Sequence, residues 1–321
     1  MRRFSFCIAI AAAALVVAPA ALADGPGFAT QGGTGVASLA HPGIHYVAVP
    51  VYGGGTLLET VDVRHGGIYL WARLAGSWGI PTIGIKSIGA GLSRDGRTLV
   101  LAPPGPGLYS PTKFLVVDAR RMRPIRTIVL EGAYSFDALS PDASRMYVIQ
   151  YADAFDLSHY IVRAYDMRTN RLLPGKIADR TEEEGTMAGS AMTRTTSADG
   201  RWVYTLYEKP TGEGFIHALD TVGGVAHCID LPKNRGLFNV GLSLRDGGRT
   251  LAATWKNGRP WLDVAVGSTW RVSYPAGTAF PWAWLAAAIG GGLAVLAALA
   301  LAVRRRGKGA RRAGQELGLA R

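Results

Sequence analysis

The residues of this chain that could do chemistry are few and scattered. Ser110 to Lys113, "SPTK", matches the S-x-x-K pattern, in which a serine nucleophile opens a helix and the lysine faces it one turn on. Here Pro111 sits in a loop between two strand-like runs, and no K-T-G follows, so the match is assigned to chance. No G-x-S-x-G, H-E-x-x-H or P-loop pattern occurs. His41, His45, His65, His159, His217 and His227 show no ligand spacing; His217 and His227 flank one hairpin and could meet across it, but two histidines without a third ligand read as surface or strand-face residues. Asp153, Asp156, Asp179, Glu182, Glu183 and Glu184 are acidic enough for calcium but lack the D-x-D-x-D-G order; they read as solvated loops. The run "ARRMRPIR" places Arg120, Arg121, Arg123 and Arg126 at one turn, a candidate contact for anionic lipid or a cell-envelope polymer. Asp137, Arg194 and Asn239 stand near equivalent places of three similar segments, "FDAL", "MTRTT" and "NVGL". They are the polar residues that a shared central site would gather. No catalytic, cofactor or metal site is assigned.

Those residues are positioned by a repeat. Aligned on Ser93, Ser140, Ser197 and Ser243, four stretches read "SRDGRTLVLA", "SPDASRMYVIQ", "SADGRWVYTLY" and "SLRDGGRTLAATW". Spacings of this size signal repeated supersecondary units. Each unit opens on a turn, in three of the four with a Gly that supplies positive φ, and its Ser and Asp oxygens can bind nearby backbone N–H groups. A strand follows, then a second strand ending at Asp118, Asp166 or Asp220, where the acid caps the next turn; in the fourth unit Asp263 falls inside the strand. With the strand before each serine and one after each acid, a unit holds four antiparallel strands, the size of a propeller blade. Residues 45–86 read as a fifth, degenerate blade without the Ser-x-Asp-Gly turn. Trp71, Trp202, Trp255, Tyr147 and Tyr204 have the bulk to fill the wedges between blades.

The stretch "LSPDASRMYVIQYAD…YIVRAYDMRTNRLLPGKI" resembles the repeat of YVTN-type, WD40-like bacterial β-propellers, over roughly residues 87–275. The resemblance implies a scaffold: an all-β propeller of four-stranded antiparallel blades, about five of them recognisable. The chain departs from that pattern at Ala143, where the family has Gly, and in the insertion "APPGPGLYSPTK". Five blades is also fewer than the six to eight the resemblance implies.

The ends carry the address. Residues 1–23 read as a secretory signal: Arg2 and Arg3, an apolar run, and Ala21-Leu22-Ala23 as the cleavage pattern. Residues 281–303, 23 long and uncharged, read as a single transmembrane helix. The basic tail 304–321 follows and is expected in the cytoplasm. Residues 24–40 form an N-terminal segment and 41–276 the ectodomain. The net charge of +12 comes mostly from these ends, which argues against a nucleic-acid partner. Cys7 leaves with the signal, so no intramolecular disulfide is expected, and Cys228 reads as a buried, inert thiol. The function expected first is a membrane-anchored, extracytoplasmic, non-catalytic binding or protein-interaction module. A lactonase- or quinoprotein-like enzyme with a central site comes second, and a structural role through helix association third.

Overall fold

The computed structural model describes residues 28–105, 109–153, 156–179, 187–234, 236–267 and 269–275. The signal and span expectations lie outside these residues. No helix of the described residues is long and apolar enough to cross a membrane.

The described chain is all β. After β1 (Ala29–Thr30), the first blade is β2 (Val36–Ala37), β3 (Ile44–Pro50), β4 (Thr56–Asp62) and β5 (Gly67–Leu74), in that order. A hairpin of β6 (Ile80–Ile83) and β7 (Ile88–Gly89) follows, with β1 on the far edge of β6. The second blade is β8 (Thr98–Leu101), β9 (Thr112–Asp118) and β10 (Arg123–Leu130), with its inner strand reduced to a bridge from Leu92 to Leu99. The third runs β11 (Ala133–Leu139), β12 (Arg145–Asp153), β13 (Asp156–Asp166), β14 (Arg171–Leu172), and β15 (Met187–Ala188) returns to pair with β13. The fourth is β16 (Ser190–Thr196), β17 (Trp202–Glu208), β18 (Gly214–Asp220) and β19 (Val225–Leu231); the fifth is β20 (Val240–Arg245), β21 (Thr250–Trp255), β22 (Pro260–Ala265) and β23 (Val272–Ser273). All strand pairs within the blades are antiparallel, and the arrangement is propeller-like.

The repeated residues form the turns for the reason their chemistry suggests. Ser93, Ser140 and Ser197 each give a hydroxyl proton to the Asp two residues on and accept the backbone N–H five residues on. Asp118, Asp166 and Asp220 accept N–H groups of the following turn. Both turns lie on one rim, because inner strands run towards it and third strands return to it.

Three expectations are corrected. The first blade begins at Val36, not 45, and carries the repeat's acid as Asp62, which caps its turn through Arg64 N–H. Residues 80–86 are not its outer strand but half of the β6–β7 hairpin. In the fifth blade Ser243 lies within β20, and Arg245, paired with Thr250, takes the place the serine has elsewhere.

Apolar side chains fill the seams between blades. One buried cluster joins blades 1 and 2, a second joins 2, 3 and 4, and a third joins 4 and 5. Tyr147 and Tyr204, fully buried, belong to the latter two. Among the described residues no buried apolar cluster joins blade 5 to blade 1. Trp71 therefore does not fill a wedge: it stands on the outer strand of blade 1, 63% exposed.

Candidate functional site

A funnel of about 600 Å³ opens on the rim of serine turns. Its wall is Val36, Ile83, Ile88, Phe136, Ala138 and Val203, contributed by the inner strands of blades 1 and 3, the second strand of blade 4 and the hairpin. Leu39, Arg94, Pro141 and Ala198 ring its mouth. A cavity of this size and lining suits an apolar group.

The β6–β7 hairpin plugs the opposite rim. It leaves blade 2 at Gly79 and Gly91, which bond Ala102 and Val100, and reaches across the axis to blades 4 and 5. At its tip Ile85 N–H donates to Ala191 O, and Lys86 Nζ donates to Val240 O at 2.7 Å. Two glycines make the crossing feasible. A Cβ on Gly89 would stand 2.0 Å from the carbonyl oxygen of Gly35, and Gly84, at φ +71, lies against the backbone of Met192.

At the funnel's floor Asp137 of β11 meets Arg194 of β16. Arg194 Nη2 donates to Asp137 Oδ1 and its Nη1 to the Asp137 carbonyl, while Nε donates to Thr205 Oγ1 at 2.8 Å. The two side chains are 2% and 8% exposed. An isolated charge at such depth is strongly disfavoured; paired and hydrogen-bonded, each neutralises the other.

The pair heads a polar row. Arg194, Thr205, His217 and Cys228 are cross-strand partners in successive strands of blade 4. Burial pushes the His217 imidazole down to about 4, so it is neutral near pH 7. Its Nδ1 lies 3.8 Å from Cys228 Sγ, and its Nε2 finds no hydrogen-bond partner among the described residues. Beside the row, burial raises the Tyr151, Tyr160 and Tyr207 hydroxyls well above the ordinary phenol range.

Of the three central candidates, the structure brings Asp137 and Arg194 together but not Asn239. Asn239 lies on the plugged rim, in a short 3-10 turn ahead of β20. His217 and His227 do not meet: adjacent strands turn them to opposite faces, and His227 stacks on Trp202 and Trp270. Cys228 is half-buried rather than fully buried. The basic turn is divided. Arg121 pairs with Asp118, Arg120 reaches the Asp95 carbonyl, and Arg126 crosses to blade 3 and donates to Met167 O. Arg123 is exposed at the start of β10. Lys113 lies in β9, not one helical turn from Ser110. Asp179 is buried and accepts from Cys228 N–H; Glu182, Glu183 and Glu184 lie outside the described residues. Among the described residues no group of three His, Cys, Asp or Glu side chains is placed to hold a metal ion.

Sequence reasoning missed His217's depth and the plug. A signal for the plug was present: "GIKSIGAGL" carries glycines at 84, 89 and 91, too many for a packed inner strand.

No protein-family model matches the chain, and no curated protein matches it. Solved structures resemble it at low identity. Hydrazine synthase of Kuenenia stuttgartiensis aligns at TM-score 0.45 and 13% identity, over 78% of this chain and 66% of that one. The Cps50 (Swd1) β-propeller domain of Myceliophteria thermophila aligns at 0.45 and 11%, over 78% and 73%. The dihydro-heme d1 dehydrogenase NirN in complex with DHE aligns at 0.40 and 16%, over 75% of this chain and 47% of that one.

Proposed function

We propose that the chain is a membrane-anchored, extracytoplasmic binding module that acts without catalysis and receives an apolar group of its partner in the funnel. The observation that carries the reading is the state of Asp137 and Arg194. The charges at the funnel floor are spent on each other, on Thr205 and on backbone, so among the described residues the polar groups left to the funnel are hydroxyls and Arg94 at its mouth. What remains for recognition is an apolar wall and a mouth with Arg94. The anchored, extracytoplasmic placement is supported by the apolar run 281–303, the basic tail after it and the signal-like residues 1–23.

The test uses residues 24–279 and two fluorophores of the same aromatic body, 1-anilinonaphthalene-8-sulfonate and uncharged N-phenyl-1-naphthylamine. Both are expected to bind saturably at one site. Ala138→Trp, which fills the funnel, is expected to remove both, and Arg94→Gln to weaken the sulfonate alone. Binding that ignores Ala138→Trp would sink the funnel as the recognition site. Conversion of any captured ligand, read by mass spectrometry, would replace this reading with an enzyme.

A further inference from the structure

The plugged rim carries a second cleft, of about 280 Å³, where the hairpin tip meets blade 5. Its polar lining is Lys86, Asn239, Ser243, Thr254 and Lys256, and no carboxylate lines it. Lys86 Nζ spends one proton on Val240 O and has two more to donate. Lys256 is held by its backbone N–H on Asn239 O, so both lysines are fixed to the same short segment. Burial and the charge of Lys256 together push the Lys86 ammonium down. Two ammonium groups close enough to repel one another, beside three neutral polar side chains, make a site suited to an anion.

The chain's exit bears on the source of such an anion. β23 runs from the serine-turn rim towards the plugged rim, and five residues separate Pro275 from the apolar run at 281. Fully extended, that link spans roughly 18 Å. A bilayer entered at 281 is therefore within about 18 Å of Pro275, which puts the plugged rim within its reach. Phe238 and Ile85, 52% and 39% exposed, flank the cleft on the same rim. Aromatic and aliphatic side chains beside lysines match the interfacial zone of a membrane.

We propose that the cleft between Lys86 and Lys256 binds the phosphate of an anionic lipid and seats the plugged rim on the bilayer. The proposal rests on the anchored reading given above.

Acetylation of individual lysines, read by mass spectrometry on the full chain, tests it. In nanodiscs containing phosphatidylglycerol, Lys86 and Lys256 are expected to react about fivefold more slowly than in phosphatidylcholine nanodiscs. Lys176, on the outer edge of blade 3, serves as the reference and is expected to react equally in both. Equal rates for Lys86 in the two discs, or equal protection of Lys176, overturn the proposal. A second arm uses the chain in detergent with dihexanoyl-phosphatidylglycerol or inorganic phosphate. Protection by the lipid headgroup, weakened in Lys256→Gln, supports the site; protection by inorganic phosphate alone assigns it to a soluble anion and overturns the lipid. Alkaline carbonate extraction of membranes reports anchoring separately. A chain washed off by carbonate defeats the anchored reading, while the detergent arm still decides whether the cleft takes a phosphodiester.

Discussion

Asp137 and Arg194 close the seam between blades 3 and 4 at the point nearest the axis: the guanidinium holds both the carboxylate and the carbonyl of the same aspartate. The ion pair is nearly inaccessible in the fold, so losing one partner leaves the other largely desolvated, with only the funnel for water to reach it. Arg194→Met leaves a buried carboxylate and is expected to cost about 3–5 kcal/mol in urea unfolding. The double variant Asp137→Leu/Arg194→Met removes both charges and is expected to recover most of that loss. If the single and double variants are equally unstable, the pair is not what holds the seam.

His217 gives the fold a pH dependence of its own. Its folded pKa of about 4 lies below the ordinary imidazole value near 6.5, so above pH 6.5 neither state binds the proton. As pH falls from 6.5 towards 4 the unfolded chain becomes protonated and the native state does not, so stability falls across that window, by about 3 kcal/mol in total. The turn aspartates act lower. Asp142, held down to about 2 chiefly by bonds from Ser144 and Ser140 against the opposing cost of burial, contributes stability present above the unfolded value of 3.8 and lost as pH drops through 2. His217→Gln is therefore expected to flatten the unfolding free energy between pH 6.5 and 4 and leave the steeper fall below 3.8 in place. An unchanged upper limb would mean that His217 is protonated in the fold.

How much of this was legible in the sequence depended on whether a residue's role is local. Ser140, Asp142 and Asp166 act within a few residues of themselves, and their turn chemistry could be read from spacing alone. Asp62 obeys the same rule and was missed only because the serine turn before it is stretched to "SLAHPG". Arg194 is different. Its placement in an inner strand followed from the repeat, but its partner lies 57 residues away on another blade, and no local pattern records that. Trp71 failed for the same reason in reverse. Its alternation marks a blade face correctly, but whether a neighbouring blade covers that face is decided by ring closure. Trp71→Ser is accordingly expected to change stability by less than about 0.5 kcal/mol, whereas Tyr147→Ala in the filled seam should cost about 3–5 kcal/mol.

The turn at Ala143 offers the last test, because there the chain departs from its own repeat. Gly96 and Gly200 hold the equivalent position at φ 67 and φ 75, and Ala143 is forced to φ 52. The conformation is imposed from both sides. Ala143 N–H must reach Ser140 O to close the turn, and Ser144 N–H must reach Asp142 Oδ1. In the left-handed region the Cβ crowds the backbone, at roughly 1–2 kcal/mol for a residue other than Gly. Ala143→Gly relieves that strain but frees the unfolded chain and gives up a methyl group that is 9% exposed, each offsetting part of the gain. The net expectation is a stabilisation of about 0.5–1 kcal/mol, seen as a higher urea midpoint with an unchanged slope. Gly200→Ala in blade 4 should destabilise by more, since the added Cβ would also meet Arg94 Cδ at 3.2 Å. Opposite signs for the two substitutions are required if backbone geometry, rather than the serine and aspartate bonds alone, sets the stability of the rim.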